Sequence, residues 1–185
     1  MTYYTDLLSK ILLYCAQLSL GIVLALVAVF FGWAIAFFVD QKTGHLPYWL
    51  KWFETVDASC YDEQWVAEHP NWSKYKIAAT WIARNPAYGY NRWCSVPTLL
   101  SDTALKTSGD LDIADGEKGK AGFFFLSTET GYWNLSYVLS IGRGTCLRGE
   151  LGWYLLPIAK KYDSVNTGML QTSPFRLYAF GEKGN

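Results

Sequence analysis

The chain predicts an α+β fold: an N-terminal transmembrane helix, short aromatic-rich helices and a C-terminal antiparallel β-meander of about four strands. Three observations predict it. No charged residue occurs in the 29 positions between Lys10 and Asp40. Residues 48–93 hold six of the nine tryptophans. From about residue 121 onward, apolar and polar residues alternate with a period of two. The chain therefore divides into an anchor helix (1–40), an aromatic interfacial and helical neck (41–93) and a β-rich soluble domain packed with the neck (94–185).

The composition excludes several functions. The 185 residues carry 16 Lys+Arg against 16 Asp+Glu, so there is no net positive field to hold nucleic acid. Apolar residues make up 51%, well above what a disordered chain carries.

The anchor is the strongest signal. Leu18 to Val39 has one weakly polar residue, Ser19. About 20 apolar residues cross a bilayer, and in lipid the backbone must satisfy itself as a helix. Ala34-Ile35-Ala36 resembles a cleavage site, but the apolar run exceeds a usual signal-peptide core, so a retained anchor is expected. Gln17, Gly21, Ala25, Ala28, Gly32 and Ala36 recur on one face. Small residues at helical spacing let helices approach closely in lipid, so this stripe is expected to be a homo-oligomer interface. Lys10 precedes the run, and Lys42 and Lys51 follow it, which tilts the C-terminal domain toward the cytoplasm. Cys15, Cys60, Cys94 and Cys146 are scattered, as in a reducing compartment.

In the neck, Leu46 to Phe53 reads as a short helix with Pro47 in its first turn. Tyr48, Trp49, Trp52 and Phe53 are expected at the membrane interface, with Val56 on the same face, because such rings pair an apolar body with a polar tip. Ser73 then caps a helix running to about Arg84, with Ile77, Ala78, Trp81 and Ile82 as its buried stripe. Asn85-Pro86 stops that helix. Asn85, Pro86, Tyr88 and Gly89 are read as a structural hinge, with Gly89 permitting a tight reversal and Tyr88 and Tyr90 docking on the sheet.

In the sheet, strands are expected at Gly122–Leu126, Tyr132–Ile141, Thr145–Leu156 and Phe175–Phe180, with a tight hairpin at Gly142-Arg143-Gly144. Trp133, Leu135, Tyr137, Leu139 and Ile141 share one face with Leu147, Leu151 and Trp153, and that apolar face is expected to be the buried one, covered by the Trp-rich helices. The acidic stretch from Ser108 to Glu117 departs from the calcium-loop pattern and reads as a solvated loop.

Catalytic and metal motifs are missing. His45 and His69 stand far apart, there is no Cys-x-x-Cys, and Gly142-x-Gly144 lacks a third glycine, so neither a metal nor a cofactor is expected. Arg148 and Glu150 read as an ion pair on one strand face.

Leu46-Pro47-Tyr48-Trp49-Leu50-Lys51-Trp52-Phe53-Glu54-Thr55, Arg84-Asn85-Pro86-Ala87-Tyr88-Gly89-Tyr90 and Cys146-Leu147-Arg148-Gly149-Glu150-Leu151-Gly152-Trp153 together resemble a family of small uncharacterised proteins of tailed bacteriophages and prophages. The resemblance spans about residues 46–153 and implies a bacterial host but no activity. The expected protein is phage-encoded, non-enzymatic and single-pass in the host bacterial inner membrane, with lipid, copies of itself and a host or phage protein as partners. Acting as a pore is one form this could take. The alternative is a virion structural component whose hydrophobic helix packs inside a protein assembly.

Overall fold

The computed structural model describes residues 2–96, 105–114, 120–142, 144–161 and 164–179. Helix α1 (Thr2–Ile35) runs into a 3₁₀ turn (Ala36–Phe38), and a second 3₁₀ segment follows at Tyr48–Phe53. Next come α2 (Glu63–Glu68), α3 (Lys74–Arg84) and α4 (Tyr88–Trp93). Strand β1 (Leu105–Gly109) and α5 (Leu111–Ala114) lead to β2 (Gly122–Thr128), β3 (Trp133–Gly142) and β4 (Thr145–Trp153). Helix α6 (Leu156–Lys160) and β5 (Leu170–Ala179) complete the described chain. It forms two compact units: Met1–Cys15 with Ser95–Asn185, and Ala16–Cys94.

In the unit Ala16–Cys94, the helices start where their capping residues dictate. The Ser73 side chain accepts the Lys76 N–H and opens α3; the Asp62 carboxylate accepts the Trp65 N–H and opens α2. Ala28 and Ile35 of the first helix, with Ala36 and Val39 of the turn that follows it, form a core with Leu46, Leu50, Phe53, Cys60, Ala78 and Ile82. Removing such side chains from water is the main source of stability here.

The unit holding the sheet is an antiparallel meander in the order β1-β2-β3-β4-β5. It has one strand more than expected. Strand β1, Leu-Lys-Thr-Ser-Gly, is nearly all polar and lies at the sheet edge, where exposed polar side chains discourage further pairing. It therefore shows no alternation to read. Beyond it, Leu111–Ala114 of the acidic stretch is helical. Arg143 and residues 115–119 lie outside the described residues.

The two faces of the sheet depart from expectation more sharply. The residues assigned to each face are the right ones as far as Ser140, beyond which a bulge breaks the alternation at Ile141, but the more polar face is the one buried. Asn134, Ser136, Val138 and Cys146 are enclosed together with Phe124 and Leu126, and α5 contributes Ile113 and Ala114. The polar members bond one another across strands. Asn134 donates to Gln171 Oε1 at 2.5 Å, Gln171 to Glu150 Oε2 at 2.9 Å, and Arg148 to Glu150 Oε1 at 2.8 Å. Bonded in this way, Asn134 loses little on burial, whereas Arg148 Nε is buried with no hydrogen-bond partner. The opposite, apolar face is covered at one end only, where Tyr14 packs edge-on against Trp133 and Trp153 at 5.0 and 5.8 Å.

Candidate membrane-contact site

Helix α1 is long and apolar enough to cross a membrane, and only 28% of its most apolar stretch is buried. Its two faces differ in side-chain size. Gly21, Ala28, Gly32 and Ala36 are buried, and Ala25 is half-buried. A Cβ placed on Gly32 would lie 3.2 Å from the Ala79 carbonyl oxygen and 3.5 Å from Ile82 Cγ2 of α3. Gly32 thus lies against α3 of the same chain, and α3 supplies Ala78, Ala79 and Ile82 to the core that Ala28 and Ala36 share, because small residues admit a close helix. Gln17 lies on the same face, and its carbonyl accepts from the Tyr90 hydroxyl at 3.1 Å. The other face carries Leu12, Leu20, Ile22, Val23, Leu26, Val29, Phe30, Phe31 and Trp33, all exposed.

Aromatic residues gather at the C-terminal end of this helix. Phe37 and Phe38 are exposed, and Trp49 meets Phe38 edge-on at 5.1 Å. Tyr48 is 92% exposed. Trp52 is half-buried, tilted against Trp93 at 5.4 Å and edge-on to Tyr90 at 5.8 Å. Phe53 is not at the surface; it belongs to the core with Leu50. The segment is 3₁₀ rather than α, so residues three apart eclipse one another. Leu50 and Phe53 form the inward row, and Trp49 and Trp52 form another.

Asn85 and Pro86 end α3 as expected; the Asn85 amide donates back to the Trp81 carbonyl. The positive φ of the reversal falls on Ala87, at 57°, not on Gly89. Gly89 is required for a different reason: a Cβ there would strike the Lys51 carbonyl oxygen. Tyr90 packs edge-on to Trp52, while Tyr88 is half-buried. Arg84, from the same motif, lays its guanidinium 4.5 Å over Trp65, a cation–π contact closing α2 toward α3. His69 sits between Trp65 and Trp72 at 4.1 and 3.9 Å.

Several other polar groups are committed to structure, while Gln17 Oε1 and the Tyr61 hydroxyl are buried without a hydrogen-bond partner. Buried Glu54 accepts from the Leu46 N–H at 2.6 Å and from Lys51 Nζ at 2.7 Å, and lies 2.6 Å from His45 Nδ1. This ties the two ends of the aromatic segment together, and no sequence spacing announces it. Asp110 pairs with Lys120, which holds its carboxyl below the usual range. Burial pushes the Cys60 thiol up to about 12. Among the described residues, no three His, Cys, Asp or Glu side chains converge to hold a metal ion.

The chain belongs to a family of unknown function, DUF7338, whose model matches residues 5–179. No curated protein and no solved structure matches it.

Proposed function

We propose that this DUF7338 member is a membrane-anchored, non-enzymatic protein that works at the inner membrane of a bacterial host through protein–protein contacts. One observation carries the reading: the outward face of α1 is built of large apolar side chains, all exposed, with no charge after Lys10. Burying each of them is worth about 1.5–3 kcal/mol. Soluble monomers rarely leave apolar patches beyond a few hundred Å² uncovered. A bilayer supplies the cover, and the aromatic cluster of Phe38, Tyr48 and Trp49 has the chemistry of the headgroup layer. The bacterial host, and a phage gene product within it, rest on the likeness of the Leu46–Thr55, Arg84–Tyr90 and Cys146–Trp153 stretches to phage proteins. The absence of disulfides among the four cysteines fits a cytoplasmic location for the sheet-bearing domain.

Vesicle flotation and alkaline carbonate extraction of cells making the full chain test the proposal. The protein should float with membranes, resist carbonate and need detergent to leave them. If it instead stays in detergent-free protein particles, α1 is covered by protein, as in a virion component, and the lipid reading fails.

A further inference from the structure

We infer that α1 does not cross the bilayer but lies in the plane of one leaflet, so that the chain enters and leaves the lipid on the same side. The inference rests on the membrane reading above and deepens it by giving the anchor a topology. It departs from the single pass that the apolar run alone predicts.

Within the unit Ala16–Cys94, one side of α1 is covered along most of the apolar run. Near the start of the run, the Gln17 carbonyl accepts from the Tyr90 hydroxyl of α4. Midway, Leu24, Val27 and Ala28 pack in the core that holds Leu50 and Phe53. Further on, Gly32 meets α3, and the Trp33 carbonyl accepts from the Tyr75 hydroxyl at 2.5 Å. At a rise of about 1.5 Å per residue, Gln17 and Trp33 are about 24 Å apart along the axis, most of the roughly 30 Å that bilayer hydrocarbon measures. The cover therefore lies beside the run and not beyond its end.

The elements that cover α1 are charged. Glu54 ends the 3₁₀ segment that holds Leu50 and Phe53, and its buried carboxylate takes Lys51 Nζ. Lys74, Lys76 and Arg84 of α3 are exposed. Helix α2, tied to α3 by the Trp65 indole donating to Thr80 Oγ1 at 3.2 Å, adds the exposed Glu63 and Glu68. A spanning α1 would carry all of these into hydrocarbon with it. Charges at that depth are costly and are tolerated when turned to a bundle interior or a watery cavity; those on α2 and α3 face outward. A helix in the plane of the leaflet has no such conflict. Its open side meets acyl chains, and its covered side carries the charged layer toward water. The open side is also unbroken: Ser19, Leu26, Phe30 and Phe37 follow one another at steps of seven, four and seven residues, and all four are exposed.

The test uses the full chain in vesicles of phosphatidylethanolamine and phosphatidylglycerol. Nitroxide labels are placed singly at Ser19→Cys, Leu26→Cys, Phe30→Cys and Phe37→Cys, each with Cys15→Ser; the other three cysteines are buried. Power saturation against oxygen and a water-soluble nickel chelate gives the depth of each label. The four labels should lie at one depth, close beneath the headgroups. A spanning helix would instead put the label at 26 about 10 Å deeper than the label at 19, from seven residues of rise, with depth lost again by 37. That profile would overturn this inference and leave the anchor standing. Water-like values at all four positions would remove the anchor reading itself. Because all four positions are exposed, folding is expected to survive labelling, and circular dichroism of each labelled protein confirms it.

Discussion

The two faces of α1 are equally apolar and serve opposite purposes. Alanine and glycine at positions 28, 32 and 36 are buried against the chain's own core. Leucine, isoleucine, valine, phenylalanine and tryptophan on the other side are exposed. Hydropathy cannot tell these faces apart, but side-chain size can. Where a backbone must come close, only small residues fit; the face left open is under no such limit and is built of large residues. The same size rule holds in α4, where Gly89 faces the Lys51 carbonyl.

Four experiments would break or sharpen that contrast. The largest effect is expected from Gly89→Ala, whose methyl group forces backbone against backbone. A loss of about 3 kcal/mol or more is expected in thermal unfolding of the detergent-solubilised protein; an unchanged midpoint would mean the close approach is not maintained. Leu26→Arg on the outer face should leave that midpoint in place. Membrane retention should fall instead, at a cost of about 2.5–3.5 kcal/mol if position 26 reaches the bilayer centre and less near the interface. Gly32→Leu should cost about 1–3 kcal/mol of stability by pushing α3 away. A changed oligomer size with unaltered stability would instead return the stripe to self-association.

The smallest perturbation is chemical. A raised pKa keeps a thiol protonated, and only the thiolate attacks. At about pH 8, Cys60, held up to about 12, and Cys94, also raised by burial, should resist a water-soluble maleimide in the folded protein. Both should label once the chain is unfolded. Rapid labelling of Cys60 in the native protein would show that its core opens.

Much of this architecture was legible in the sequence because periodicity reports which residues share a face. The long helix, the Ser73-capped α3 and the hairpin-paired β3 and β4 all follow from spacing alone. Periodicity does not report which face meets the core. On the sheet, a hydrogen-bonded polar set could be enclosed and an apolar set left outside, a choice fixed by Gln171 and α5, both distant in sequence. Phe53 was misplaced because the segment has three residues per turn instead of 3.6, a distinction six residues do not reveal. The spacing of the stripe on α1 predicts a close helix neighbour, and Gly32 has one in α3. That neighbour is hidden from local pattern because α3 lies about fifty positions further along the chain.

The polar network linking Asn134, Gln171, Glu150 and Arg148 also bears on how the strands align. Both faces of the meander carry apolar side chains, so hydrophobic pattern alone would tolerate a strand sliding by two residues. A slide would part Asn134 from Gln171 and Glu150 from its two donors, at about 1–3 kcal/mol for buried Asn134 and less for the part-exposed Glu150. These four side chains therefore act as an indexing pin. They penalise misaligned versions of the sheet that greasy contacts alone would accept.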